Sequence, residues 1–248
     1  MERCGAPDQQ VRRPAKLGKW LKRAQSVHLT IEARKMLTVH HLGKSQSERI
    51  VWLCEELKIP YELKRYDRDP KTRLAPADYK ALHPLGAAPV ITDGNIVLAE
   101  SGAIMEYIIA RHGDGRFAVA PNQPNYPDYV YWFHSSNGSL QPSIGSDQLL
   151  ARAGVAKDSP MIAIMKNRQH RVLSLVESRL AQTPYLAGND LTAADIMTVF
   201  TLTTMRYFAP FDLTPYPHIL AYLQRIGARP AYRAAMQKGD PDMAPLLT

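Results

Sequence analysis

The chain contains two cysteines in 248 residues, Cys4 and Cys54. That is too few for a disulfide framework and suits a reducing compartment. No Cys-x-x-Cys pair exists, so dithiol–disulfide exchange by the protein's own sulfurs is excluded. No apolar run approaches the ~18 residues that a membrane span requires. A P-loop, a GxGxxG turn opening a first helix and a GxSxG elbow are all missing, which removes the commonest nucleotide-binding and serine-hydrolase patterns. The eight histidines are scattered. Their one adjacent pair, His40–His41, points to opposite faces of a strand, so no metal site is expected.

Acidic residues are also in deficit, 23 against 31 Lys and Arg, for a formal charge of +8. Most of the excess is local. Residues 1–35 hold nine Lys and Arg against Glu2, Asp8 and Glu32, which is +6 of the total, so the body is nearly neutral and nucleic acid is not expected as its partner. In this segment Leu17, Trp20, Leu21 and Ala24 fall at helical spacing, as in a weak organellar presequence or a membrane-surface helix. Asp8 and Glu32 interrupt that pattern, so residues 1–35 read as a basic, disordered extension in preference to a targeting signal, with Met36 a candidate natural start.

What is present organises around Leu82–Tyr107. His83-Pro84-Leu85-Gly86 is a turn, and Ala87–Ile91 is a short apolar strand entered through Pro89, where a missing ladder donor is tolerated. A cis Ala88–Pro89 bond would leave the Ala88 backbone free to pair with an extended ligand. Thr92–Asn95 is a hairpin turn and Ile96–Ala99 the returning strand. Glu100-Ser101-Gly102 then opens the helix Ala103–Arg111, whose free amides and positive dipole end favour a carboxylate. A plain hairpin on a capped helix would look the same.

Upstream, Leu37–Leu42 is a strand, and Gly43–Ser47 is a loop leading into the helix Glu48–Leu57, with Ile50, Val51, Leu53, Cys54 and Leu57 on its apolar face. Ser45 and Glu48 form a capping-box pattern, and Cys54 belongs to the core. Tyr61–Tyr66 alternates as a second strand, and Ala77–Leu82 is a short helix. Residues 113–126, rich in Gly, Asp, Pro and Asn, read as a linker. Beyond it the chain is helical: Pro127–Leu140, a break within Pro142–Pro160, then Met161–Gln182. Thr192 and Asp195 make an N-capping box with Leu191 and Ile196 as its staple, and Tyr216–Met236 contains the closing helices.

Three motif regions in this order, spanning about Met36–Met236, resemble the serine-type cytosolic glutathione transferases. They are the Ser-loop four residues before Arg49, the Ala88-Pro89 to Glu100-Ser101 stretch, and Tyr185-Leu186-Ala187-Gly188 ahead of the capping box. The resemblance implies an α/β thioredoxin-like domain over 36–112, joined through 113–126 to an all-α domain over 127–248. It implies that glutathione is the co-substrate, with no metal. Ser45, or alternatively Ser47, would hold its thiolate, the backbone at Ala88–Pro89 its cysteinyl part, and Glu100 and Ser101 its γ-glutamyl end. Lys44, Lys71 or His83 would meet the glycyl carboxylate, because Ala87 stands where relatives often carry a polar or basic residue. Tyr131, Trp132 and Asn137 would line the pocket for a small apolar electrophile, although Asn137 replaces an acidic residue that often precedes the Gly138-Ser139-Leu140 pattern. A cytoplasmic homodimer acting in detoxification is the expected setting. A glutathione-binding regulatory protein and a glutathione-dependent peroxidase are the alternatives.

Overall fold

The computed structural model describes residues 36–156 and 158–248; the expectations for residues 1–35, including the basic extension and its helical pattern, lie outside the described residues. Strand β1 (Thr38–Leu42) passes through helix α1 (Glu48–Leu57) to β2 (Glu62–Tyr66), which pairs with β1 in parallel. A short helix α2 (Ala77–Lys80) precedes the hairpin β3 (Val90–Asp93) and β4 (Ile96–Ala99), and β3 lies antiparallel to β1. The sheet order is therefore β2-β1-β3-β4. The connection between β1 and β2 needs a crossover element, because parallel neighbours cannot be joined by a hairpin. Helix α3 (Ser101–His112) begins directly after β4, two residues earlier than the sequence pattern suggests, because Ser and Gly supply its first turn.

Helix α1 is buried on nearly every side: Ile50, Val51, Leu53 and Cys54 have no exposed surface and Trp52 is 2% exposed. A helix apolar on one face would be half covered; this one packs on the sheet and α3 on one side and on the helical half on the other. Burial pushes the Cys54 thiol well above its ordinary range, so this sulfur is inert core. One apolar cluster runs from Val39 and Ile50 through Ile104 to Val199 and Tyr222. A smaller cluster of Leu42, Tyr66, Tyr79, Val90 and Ala99 covers the sheet beside α2.

The helical half consists of α4 (Tyr126–Ser135), a π-helical turn (Ser136–Leu140), α5 (Gln141–Arg152), α6 (Pro160–Leu180), α7 (Ala193–Leu202), a 3-10 turn (Thr204–Tyr207), α8 (Pro217–Gly227) and α9 (Pro230–Gly239). The expected break within Pro142–Pro160 is narrower than its sequence suggests, since Gln141–Arg152 is helical. Pro142 would clash with the carbonyl four residues back in a regular helix. The π turn immediately before it, closed by Gln141 N–H to the Ser136 carbonyl, widens the ladder there. The real interruption comes after Arg152, where Gly154 adopts φ +71° and the Val155 amide reaches back to the Leu150 carbonyl at 3.0 Å.

Residues 36–248 form one compact unit. The segment between α3 and α4 is tied to both sides. Arg116 Nη2 donates to the Leu57 carbonyl at 2.7 Å, and the Phe117 carbonyl accepts from the Ala193 amide at 2.8 Å. Helix α7 is buried along its whole length, as a helix apolar all round must be. Its capping box forms as the Thr192/Asp195 spacing predicts. Asp195 accepts from the Leu186 amide (2.9 Å), the Thr192 amide (2.8 Å) and hydroxyl (3.1 Å), and the Tyr222 hydroxyl (3.2 Å). Truncating it to alanine strands two buried amides and a phenol. Asp195→Ala is therefore expected to lower unfolding stability by about 3 kcal/mol or more, with Asp195→Asn intermediate, in urea denaturation followed by circular dichroism.

Candidate active site

The N-termini of α1 and α3 converge, and Arg49 joins them. Its side chain is fully buried, carried inward on the first turn of α1. Nη1 donates to Gln46 Oε1 (2.6 Å), Asn137 Oδ1 (2.9 Å) and Ser101 Oγ (3.3 Å). Nη2 donates to Gln141 Oε1 (3.0 Å) and Ser136 Oγ (3.4 Å), and the guanidinium lies 5.1 Å from the Phe200 ring centre. Each of these partners is neutral. Burial drags the Arg49 pKa down to about 9, partly opposed by the neighbouring Glu48, which leaves it charged at neutral pH.

Glu48 is itself buried, and burial raises its carboxyl to about 8 against the lowering effect of the Thr204 hydroxyl, 2.5 Å away. The expected Ser45/Glu48 capping box is therefore not made. Glu48 turns into the helical half, the N-cap of α1 is Ser47 and carries no side-chain cap, and Ser45 Oγ instead accepts the Ser47 amide at 3.3 Å. The core competes for the carboxyl and wins.

Ser45 and Ser47 are both buried, at 5% and 0% exposure, and their hydroxyls are 2.7 Å apart. Ser47 is turned into the protein, against His41 Nδ1 (2.9 Å) and the Leu42 amide (3.2 Å). Lys44, at φ +53°, uses its amide on Asp240 Oδ1 (2.9 Å), and its ammonium sits 5.8 Å from the Tyr207 ring centre.

Ser101 is buried and donates to Gln46 Oε1 at 3.3 Å, while Glu100 is exposed and holds φ +74°. That backbone conformation is costly for a side-chain-bearing residue and persists only where its surroundings impose it. The Ala88–Pro89 bond is cis, at the entrance to β3. His83 stays within its turn, where Nδ1 accepts the Leu85 amide at 3.2 Å, and Lys71 is an exposed loop residue. Tyr131 and Trp132 meet edge to face at 5.0 Å and line a cavity of about 80 Å3 together with Ser135, Leu140, Val176 and Thr198. Asn137 is not among its walls; it belongs to the Arg49 cluster. The three nominated pocket residues are thus not brought together.

In the sequence Arg49 stands out only as the residue four positions after Ser45, and no motif points to Gln46, Gln141 or Asp240 or gives His41 a role. An arginine inside an otherwise apolar helix face was the available signal for the first. Nothing local marks Asp240.

A thioredoxin-like half joined to an all-helical half, with buried serines at two converging helix N-termini, is the two-part architecture of the glutathione-dependent transferases. Comparison with known proteins agrees. The glutathione S-transferase N-terminal domain family matches residues 35–110, and the C-terminal domain family matches residues 126–230. Glutathione S-transferase 3 of Schizosaccharomyces pombe is 30% identical over 226 residues, covering 86% of this chain and 92% of its own. A glutathione S-transferase structure from Actinobacillus pleuropneumoniae superposes with a TM-score of 0.74 at 34% identity, covering 84% of this chain and 97% of that one. A glutathione transferase from Phanerochaete chrysosporium, solved with oxidized glutathione, shares the fold at a TM-score of 0.68 and 21% identity, covering 84% and 97%. The chain belongs to the glutathione S-transferase family.

The Glu48 carboxyl carries a pH signature. Its ordinary value is 4.5 and its folded value about 8, so between these the folded state binds the extra proton and stability falls as pH rises. Glu48→Gln removes that proton linkage. The Tm loss between pH 5 and pH 8 is expected to be smaller in Glu48→Gln than in wild type by at least ~4 °C, on a scale where 1 kcal/mol moves Tm by roughly 2–4 °C.

Proposed function

We propose that this protein conjugates reduced glutathione to a small apolar electrophile. The observation that carries the reading is Ser101, buried at the N-terminus of α3, on the buried Arg49 guanidinium, whose side-chain partners are all neutral. Among the described residues, Arg49 has no carboxylate hydrogen-bond partner. The γ-glutamyl carboxylate at Ser101 and the first amides of α3 gives that charge its counter-ion, and the ammonium of the same group faces exposed Glu100. The Ala88 backbone pairs with the cysteinyl part, and the glycyl end runs toward Lys44 or His83.

A free thiol has a pKa of about 8.5, so only a few per cent is ionised at neutral pH. A hydrogen bond donated by Ser45 and the positive end of α1 favour the thiolate. That thiolate attacks the electrophilic carbon, and the leaving group departs. The electrophile approaches from the side of Tyr131 and Trp132. Their cavity is well below the roughly 300–1,000 Å3 of a usual ligand site, so the pocket opens further when substrate enters.

A cytoplasmic homodimer is the assembly we infer from the family. Exposed Ile96 and Val97 on edge strand β4 offer apolar surface that a second copy would cover. Among the described residues no helix is long and apolar enough to cross a membrane.

Calorimetry with reduced glutathione, paired with turnover of an aryl halide, tests the reading. Wild type is expected to bind and to conjugate. Ser101→Ala should weaken binding by about 1–3 kcal/mol, roughly five- to 150-fold. Ser45→Ala should keep binding within a few-fold while the conjugation rate falls 10- to 100-fold, on the order of a lost hydrogen bond to a charged group. Well-folded wild type that gives no heat with glutathione sinks the proposal.

A further inference from the structure

Ionising a thiol releases a proton, and Ser45 with three side chains behind it forms a continuous path for it. Ser45 Oγ lies 2.7 Å from Ser47 Oγ, Ser47 Oγ 2.9 Å from His41 Nδ1, and His41 Nε2 3.1 Å from Asp240 Oδ2. His41 has no exposed surface and Asp240 is 6% exposed. The path crosses 199 positions of sequence between β1 and the end of α9. It is anchored by the backbone at both ends and within: Asp240 Oδ1 accepts the Lys44 amide at 2.9 Å, Ser45 Oγ the Ser47 amide at 3.3 Å, and Ser47 Oγ the Leu42 amide at 3.2 Å.

Counting hydrogens shows that this path has two directions. Facing a carboxylate, His41 Nε2 must carry a hydrogen. If Nδ1 carries none, Ser47 donates to it and Ser45 donates to Ser47, so Ser45 has no hydrogen left for a sulfur. If Nδ1 carries one, every bond reverses. His41 donates to Ser47, Ser47 to Ser45, and the Ser45 hydroxyl is free to point outward. The Leu42 carbonyl, 3.4 Å from Ser47 Oγ, also accepts the Ser47 hydrogen but at longer range than His41 Nδ1 at 2.9 Å, so a thiolate is best stabilised by Ser45 when His41 holds a second proton.

We propose that His41, backed by Asp240, accepts the glutathione thiol proton through Ser47 and Ser45. The S–H bond breaks as its proton passes to Ser45 Oγ, the Ser45 proton passes to Ser47 Oγ, and the Ser47 proton forms the new N–H bond at Nδ1. The products are a thiolate accepting from Ser45 and an imidazolium beside the Asp240 carboxylate. No electrons leave the system, and after conjugation the proton passes to solvent. The inference rests on the transferase reading above, with His41 and Asp240 acting through the serines without touching substrate.

The surroundings suit the role. Burial opposes ionisation of Asp240, yet the His41 hydrogen bond and charge, the Lys44 amide and Arg65 hold it below the usual carboxylate range. Arg65 is the β2 partner of His41, Arg68 and Glu48 also act on Asp240 or its neighbourhood, and the Asp240 carboxylate is the group in direct contact with the ring. Helix α9 ends on Gly239, where an added Cβ would stand 3.2 Å from the ring. A larger residue there would push Asp240 off His41.

Two measurements on the full chain test the path. Thiolate formed on glutathione binding is read by its ultraviolet absorbance, and protons released are read from the binding heat in buffers of different ionisation enthalpy. Wild type at pH 7 is expected to form thiolate with far less than one proton released for each thiolate. Asp240→Asn is expected to cut the thiolate fraction about tenfold, returning the thiol toward its free value near 8.5. Simple charge removal predicts the opposite sign, since losing a nearby negative charge favours a thiolate. Should the variant fold poorly, nitrogen-15 spectra of the wild-type His41 ring are expected to show Nδ1 gaining a hydrogen when glutathione binds. One proton released per thiolate, a thiolate fraction unchanged or raised in Asp240→Asn, or a ring unaltered by glutathione overturns the proposal. If wild type binds and Ser45→Ala loses thiolate while any of those results holds, the transferase reading stands and the path alone falls. Absence of glutathione binding removes both.

Discussion

The burial of α1 between the sheet and the helical half is the constraint on which the molecule depends. A helix covered on both sides cannot shift without opening two interfaces, because a close-packed interior transmits displacement. Its C-terminal end is strapped to α9 by Arg229, which grips Glu56 through Nε at 2.6 Å and Nη2 at 2.8 Å, and by Lys238 on Glu55 at 2.6 Å. A two-pronged guanidinium–carboxylate contact fixes orientation as well as distance. With α1 held there, its first turn carries Arg49 to Ser101 at the start of α3.

Fixing α1 also brings Arg49 into a site without a carboxylate partner among the described residues. Burying a cation among neutral dipoles costs stability, and the five side-chain oxygens around it offset only part of that cost. Asn137 is central, because an acidic residue in that place would satisfy Arg49 internally and leave less attraction for an incoming anion. Glu48 does not supply the missing charge: burial keeps it protonated up to about pH 8. Stability is given up at this cluster. The φ of +74° at Glu100 is a second such cost, at the same end of α3.

Most of the fold was legible in residues 36–248. Alternation marked β2, apolar periodicity marked α1, and the Thr192/Asp195 spacing marked the start of α7, because each depends on neighbours within one or two turns. The proline at the entrance to β3 raised the cis Ala88–Pro89 bond as a condition, and the bond is cis. The errors have one origin. The Ser45/Glu48 pair satisfies a local capping rule, yet a buried hydroxyl on Thr204, 156 positions away, takes the carboxyl. Pro142 obeys a local helix-breaking rule, yet the π turn before it accommodates the ring.

The sequence by itself determined most of the elements and their order, the helix Gln141–Arg152 excepted, since periodicity, capping and turn chemistry act over a few residues. Only the tertiary structure decided which of those groups meet. It placed Asn137 on Arg49 instead of beside Tyr131, and it set Asp240 behind His41 across 199 positions. Contacts between distant segments follow from the burial of whole helices, and no short stretch of chain encodes where such a helix comes to rest.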